Sequence, residues 1–191
     1  MSRTVIGLGL ALTILALPAC NQADKGDQTA NAAAGNADAK GVEGNTIASG
    51  MAQDSKFLAA AKSAGLDATL AGPGPYTILA PNNAAFDKLP AGTLENLQKP
   101  EQKGQLTSLL TYHTLPGVVL AEDIGKAIDN AKGKAVLATM GGETVTATKE
   151  GDKIVLTDGA GAKATVVKAD EKRSNGIVHE IDTVLSPSKS S

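Results

Sequence analysis

Two histidines, His113 in "LLTYHTLPGVV" and His179 in "NGIVHEID", are the only imidazoles in the 191-residue chain, and Cys20, closing "LPAC", is its only thiol. A hydrolase built here would need His113 as general base beside Ser108, Ser174 or a carboxylate, yet neither serine sits in a nucleophile elbow or near an oxyanion-loop signature. Zinc or another transition metal asks for ligands at short spacing, whereas the histidines stand 66 positions apart with no ligand cluster between them. Gly125 and Gly133 in "GKAIDNAKGKA" miss the spacing of a phosphate loop. "TDGAGAK" and "KEGDK" lack the alternating carboxylates of a calcium loop and read as hairpin turns. These patterns therefore predict no catalytic residue, no cofactor and no metal.

The direction of each ring follows from the period of the element that carries it. On a helix through residues 106–113, Leu106, Leu109, Leu110 and His113 fall at i, i+3, i+4 and i+7, on one apolar face. Along "GIVHEIDTVL", alternation puts Ile177, His179 and Ile181 on one side of a strand, with Val178, Glu180 and Asp182 on the other. Both imidazoles point inward, where a neutral ring acts as a small amphipathic core group bonded through its nitrogens. His113 and His179 are expected to serve stability.

The elements that must hold them divide the chain in two. Asp54 is the expected N-cap of "SKFLAAAKSAG", with Gly65 as its stop; "TILA" is a short strand; an Asn caps "PNNAAFDKLP"; Thr93 caps "LENLQ"; and Pro100 opens "EQKGQLTSLLTYH". The pattern then changes to short β-branched runs, "AVLATM", "ETVTATKE", "KIVLTD", "KATVVKAD" and "GIVHEIDTVL", separated by turns such as "EGDK" and "DGAGAK". Helices followed by strands predict an α+β fold, an antiparallel sheet or sandwich with its helices gathered on one side.

Upstream of this domain, Arg3 precedes an apolar run over residues 5–17 and a small-residue cleavage site, the form of an export signal over residues 1–19. The run is too short for the roughly 20 apolar residues that cross a bilayer core. Leu17, Pro18, Ala19 and Cys20 resemble the lipobox of bacterial lipoproteins, with Pro18 in place of the usual small residue. Acylation of Cys20 would account for an unpaired thiol in an exported chain and, with more than one acyl chain, for stable membrane anchoring. Residues 21–41 contain no aromatic or large aliphatic side chain and are read, within residues 20–43, as a disordered tether spanning about 25 Å. Loss of Arg3 leaves 17 Lys+Arg against 20 Asp+Glu, a formal charge of −3; with four aromatics and no basic block, nucleic-acid binding is not expected.

Three segments in the expected domain, residues 44–187, carry a resemblance to a known family. "YTILAPNNAAFDKLP" resembles the first signature of fasciclin (FAS1) domains, "LLTYHTLPG" their central Tyr-His motif, and "NGIVHEIDTVLSP" their second signature, in family order and at family spacing. Leu79 stands where an aromatic is common, and Asn82 where Thr or Ser is common. The resemblance implies a β-sandwich or wedge of mainly antiparallel strands flanked by helices, a role in adhesion or protein association, and no enzymatic activity. It also implies a recognition surface at the Tyr-His segment, which maps to Tyr112, His113, Leu115, Val118 and Val119. Residues 188–191 are left as a tail.

The expected function is therefore a membrane-anchored extracytoplasmic binding module of the bacterial envelope, engaging an envelope or matrix protein or a second copy of itself. Asn21 after the cysteine, rather than Asp, favours the outer membrane. Two alternatives remain open: an envelope hydrolase using His113, and a purely structural spacer.

Overall fold

Short apolar segments with β-branched residues become strands here because two separate layers of side chains cover them. The computed structural model describes residues 44–188. The expected signal peptide, Cys20, the tether and residues 189–191 lie outside these. Among the described residues seven strands are present: β1 (Tyr76–Pro81), β2 (Thr114–Pro116), β3 (Ala135–Ala138), β4 (Thr144–Glu150), β5 (Lys153–Thr157), β6 (Lys163–Arg173) and β7 (Gly176–Ile181). They form one sheet in the order β2-β1-β7-β6-β5-β4-β3, antiparallel throughout except for the parallel pair β1–β7. The Met140 N–H, just past β3, donates to the Thr114 carbonyl of β2 at 2.8 Å, so the two ends of the sheet meet and it nearly closes into a barrel.

The helices are α1 (Ile47–Gly50), α2 (Lys56–Ala64), α3 (Asp67–Ala71), α4 (Asn83–Asp87), α5 (Thr93–Leu97), α6 (Lys103–Tyr112) and α7 (Ala121–Asn130). Ser55, not Asp54, caps α2: its Oγ accepts from the Leu58 N–H at 3.3 Å, while Asn83 Nδ2 donates to the Asp54 carbonyl and Asn83 Oδ1 takes the Lys56 N–H. A side chain 29 positions away thus moves the helix start by one residue. Gly65 ends α2 in the left-handed conformation, φ +77°. Asn82 caps α4 as expected, its Oδ1 accepting from the Ala85 N–H at 2.8 Å. Thr93 is the first residue of α5 behind a Gly92 cap, and Pro100 opens a 3₁₀ turn (Pro100–Gln102) before α6 begins at Lys103.

Two cores result. One gathers Phe57, Ala61, Phe86, Leu106 and Leu110 from the helices against Ile78, Ala80 and Val178; the other gathers Leu79, Tyr112, Leu115, Val145, Leu156, Ile181 and Leu185. β1 serves both by alternation, Ile78 and Ala80 facing one core and Leu79 the other. β7 is likewise covered on both faces, so Val178 is buried along with Ile177, His179 and Ile181. Burial of each such Leu or Ile contributes roughly 1.5–3 kcal/mol. The helices expected from the N-terminal half, α2 and α4 to α6, pack on the first core. α7, in the segment tested above only as a phosphate loop, buries Ile124 and Ile128 in the second core.

Candidate functional site

His113 ends α6 at the joint between the two cores, 1% exposed. Its Nδ1–H donates to the Leu109 carbonyl at 2.8 Å, and its Nε2 accepts the Leu185 N–H at 3.1 Å, which sets the neutral tautomer. The ring meets Phe57 of the first core edge-on at 6.2 Å and Tyr112 at 6.3 Å. Burial pushes the imidazole down to about 4, outweighing the Leu109 bond and the nearby Asp158 carboxylate, which act the other way. With both nitrogens held by the main chain, neither is free to take a proton from a nucleophile.

His179, on β7, has the opposite tautomer. Its Nε2–H donates to the Val119 carbonyl at 2.8 Å, and its Nδ1 accepts the Asp170 N–H at 3.2 Å. Asp170 stands at φ +56° where the β6–β7 register shifts between Lys168 and Glu171. Its Oδ1 accepts the Ala121 N–H at 2.9 Å. From β1, the buried Thr77 completes the grip: its hydroxyl donates to the Gly117 carbonyl at 2.8 Å and accepts the Val119 N–H at 2.9 Å. The Gly117 N–H reaches the Pro75 carbonyl at 3.1 Å, and Gly117 itself takes φ +84°. Residues 117–121 are thereby pinned, through their main chain, to β1, β6 and β7.

The five residues of the expected recognition surface separate in the structure. Tyr112 is wholly buried, its hydroxyl donating to the Thr144 carbonyl at 3.0 Å and accepting the Gly159 N–H at 3.3 Å; burial raises its pKa. His113 and Leu115 are each 1% exposed. Val118 and Val119 alone reach the surface, half-buried on the pinned segment. A recognition role for Tyr112 or Leu115 by direct contact is corrected by this burial: helical and strand propensities do not tell which side of a connection the second core will cover.

Four polar residues that organise this region escape sequence reasoning: Thr77, Asp158, Asp170 and Asn175. Asn175 is the clearest. Its Oδ1 accepts the Ile47 N–H at 2.8 Å, and its Nδ2 donates to the Leu70 and Gly72 carbonyls at 2.9 and 2.8 Å, tying α1 and α3 to the start of β7. Its only signal is its place before Gly176, where a Cβ would run into the Tyr76 carbonyl. Gly74 faces Asn175 under the same restriction.

A separate cleft of about 570 Å³ lies between the α1–α2 connection and β6–β7, with Lys168, Glu171, Arg173 and Glu180 on its wall. Lys168 and Arg173 are both ion-paired, while Arg173 Nε is buried with no hydrogen-bond partner among the described residues. Glu171 pairs with Lys168 and, at 3.0 Å, with Arg173, which also donates to the Gly50 carbonyl. Among the described residues no group of three or more His, Cys, Asp or Glu is placed to hold a metal ion, and no helix is long and apolar enough to cross a membrane.

Comparison with known proteins places this geometry. A family model described as Fasciclin domain matches residues 52–187. Protein sll1483 of Synechocystis sp. is 38% identical over 141 residues, which are 74% of this chain and 71% of that protein. Transforming growth factor-beta-induced protein ig-h3 of Sus scrofa is 35% identical over 130 residues, 68% of this chain but only 17% of that much longer protein. The solved FAS1 domain pair of the insect cell adhesion molecule Fasciclin I is similar at a TM-score of 0.51 and 28% identity, covering 68% of this chain and 44% of that one.

Proposed function

This chain belongs to the Fasciclin domain family, matched over residues 52–187, and on that premise we propose that it is a membrane-anchored extracytoplasmic binding module that mediates adhesion or protein association in the bacterial envelope. The observation that carries the reading is the pinned segment 117–121, whose carbonyls and N–H groups are held by Thr77, His179 and Asp170 while Val118 and Val119 stay half-exposed. An apolar pair on a pre-ordered main chain binds without paying to order it. The relative that is a cell adhesion molecule supports the same class of role. Anchoring is assigned to acylated Cys20 and the outer membrane, and the partner to an envelope or matrix protein or a second copy of the chain.

The test is site-directed photo-cross-linking in intact cells, with the full-length protein carrying the cross-linker at Val118 or, as control, at exposed Lys153, the first residue of β5. A discrete adduct from position 118 alone supports the reading; identical adducts from both positions, or none, sink it. In the same cells Cys20→Ser should leave the membrane fraction on a carbonate wash, and its retention would show that lipid is not the anchor.

A further inference from the structure

The segment after β7 is attached in an unusual way. The Leu185 N–H donates to His113 Nε2 at 3.1 Å, at the end of α6; the Ser186 N–H to Asp158 Oδ2 at 2.8 Å, in the β5–β6 turn; and the Ser188 N–H to Glu143 Oε2 at 2.8 Å, in the β3–β4 turn. Pro187 has no N–H to give. Each of these main-chain donors thus ends on a protonatable side chain from a different element, and among the described residues no carbonyl accepts from any of the three. Val184, 6% exposed, plugs the first core and Leu185, fully buried, the second.

We propose that residues 184–188 form an acid-released strap, opened when His113 Nε2 takes a proton and turns from the acceptor of the Leu185 N–H into a competing donor. The groups facing the ring are few. Phe57 arrives from α2, Tyr112 from α6, the strap offers Leu185, and Asp158 supplies the one charge that acts on it, from the β5–β6 turn. Among the described residues no cation acts on the ring to oppose protonation, and the buried Leu185 N–H has no second acceptor. Asp158 keeps the Ala160 and Ala162 N–H groups on Oδ1, at 3.0 and 2.8 Å, so the turn stays formed when the strap leaves. Opening admits water to the ring and returns it toward its ordinary value near 6.5. With the closed ring held at about 4, the open-to-closed ratio rises roughly 25-fold between pH 7.5 and pH 5.

Amide hydrogen exchange on the full-length chain in detergent, corrected for intrinsic rates at each pH, reads this directly. The peptide over residues 183–188 should lose about 25-fold of its protection from pH 7.5 to pH 5, with a urea dependence much weaker than that of β4 and β5, which keep higher protection that falls steeply with urea. His113→Gln, which retains an acceptor but not the proton, should abolish the pH response of the strap. A strap whose protection and urea dependence match those of β4 and β5 opens only by global unfolding and overturns the proposal. So does a pH response that persists in the Gln variant. If that variant does not fold, the wild-type His113 ring resonance decides: the rise in strap exchange must level off where that resonance titrates, at about 4, and a rise that continues unchanged past that titration is the overturning result.

Discussion

His113 and His179 make the same two bonds with opposite nitrogens, yet the groups they satisfy sit in different surroundings. Beneath His113 the orphan would be the Leu185 N–H, sealed between the two cores, whereas the Leu109 carbonyl also receives the His113 main-chain N–H. Around His179 the partners are the Val119 carbonyl and the Asp170 N–H, on half-buried residues beside solvent. Equal burial of two rings therefore does not mean equal cost of losing them. What counts is whether water can replace the ring at its partners.

That comparison can be broken in order of expected effect. His113→Ala leaves a cavity, a sealed N–H and two lost aromatic contacts, and should lower unfolding free energy by about 4 kcal/mol. His179→Ala should cost about 2 kcal/mol, because its orphans hydrate, and should raise hydrogen exchange at Val119. Urea melts at pH 7.5 on both variants check the ranking, and equal losses would defeat it.

Acid should test the His113 side of the comparison next. A histidine held below its unfolded value binds fewer protons when folded, so its contribution is complete above about pH 6.5 and lost as pH falls toward about 4. A displacement of that size corresponds to about 3 kcal/mol. Wild type measured against His113→Gln across this window should show the difference close as pH falls, and parallel curves would refute it.

The smaller contrast lies along the Tyr-His segment itself. Leu115→Ala, in the second core, should cost about 3 kcal/mol. Val118→Ser, on the surface, should cost under about 0.5 kcal/mol while weakening association with the partner captured from that position. A large loss of stability in the valine variant would return the whole segment to packing.

Much of this frame was legible in the residues. Spacing at i, i+3, i+4 and i+7 put His113 on the apolar side of α6, where the structure has it 1% exposed, and alternation turned His179 inward on β7. The change from helical to strand period near residue 135 matches the order of elements. The short β2 and the helix α7 were not legible, the first because three residues carry no period, the second because "AEDIGKAIDN" reveals its apolar face only through Ile124 and Ile128. Thr77, Asp170 and Asn175 were hidden for another reason. The groups their side chains bond lie between 40 and 128 positions away along the chain.

By itself the sequence determined local matters: which residues share a face, where turns fall, that three signatures occur in fasciclin order, and that no cysteine pair is available. These follow from backbone period and residue chemistry, which act over a few positions. Only the tertiary structure decided the tautomer of each histidine, the interior place of Tyr112 and Leu115 against the half-exposed place of Val118 and Val119, and the side-chain acceptors of the C-terminal strap. Desolvation and hydrogen-bond pairing depend on which distant segments arrive at the same point, and no period along the chain records that.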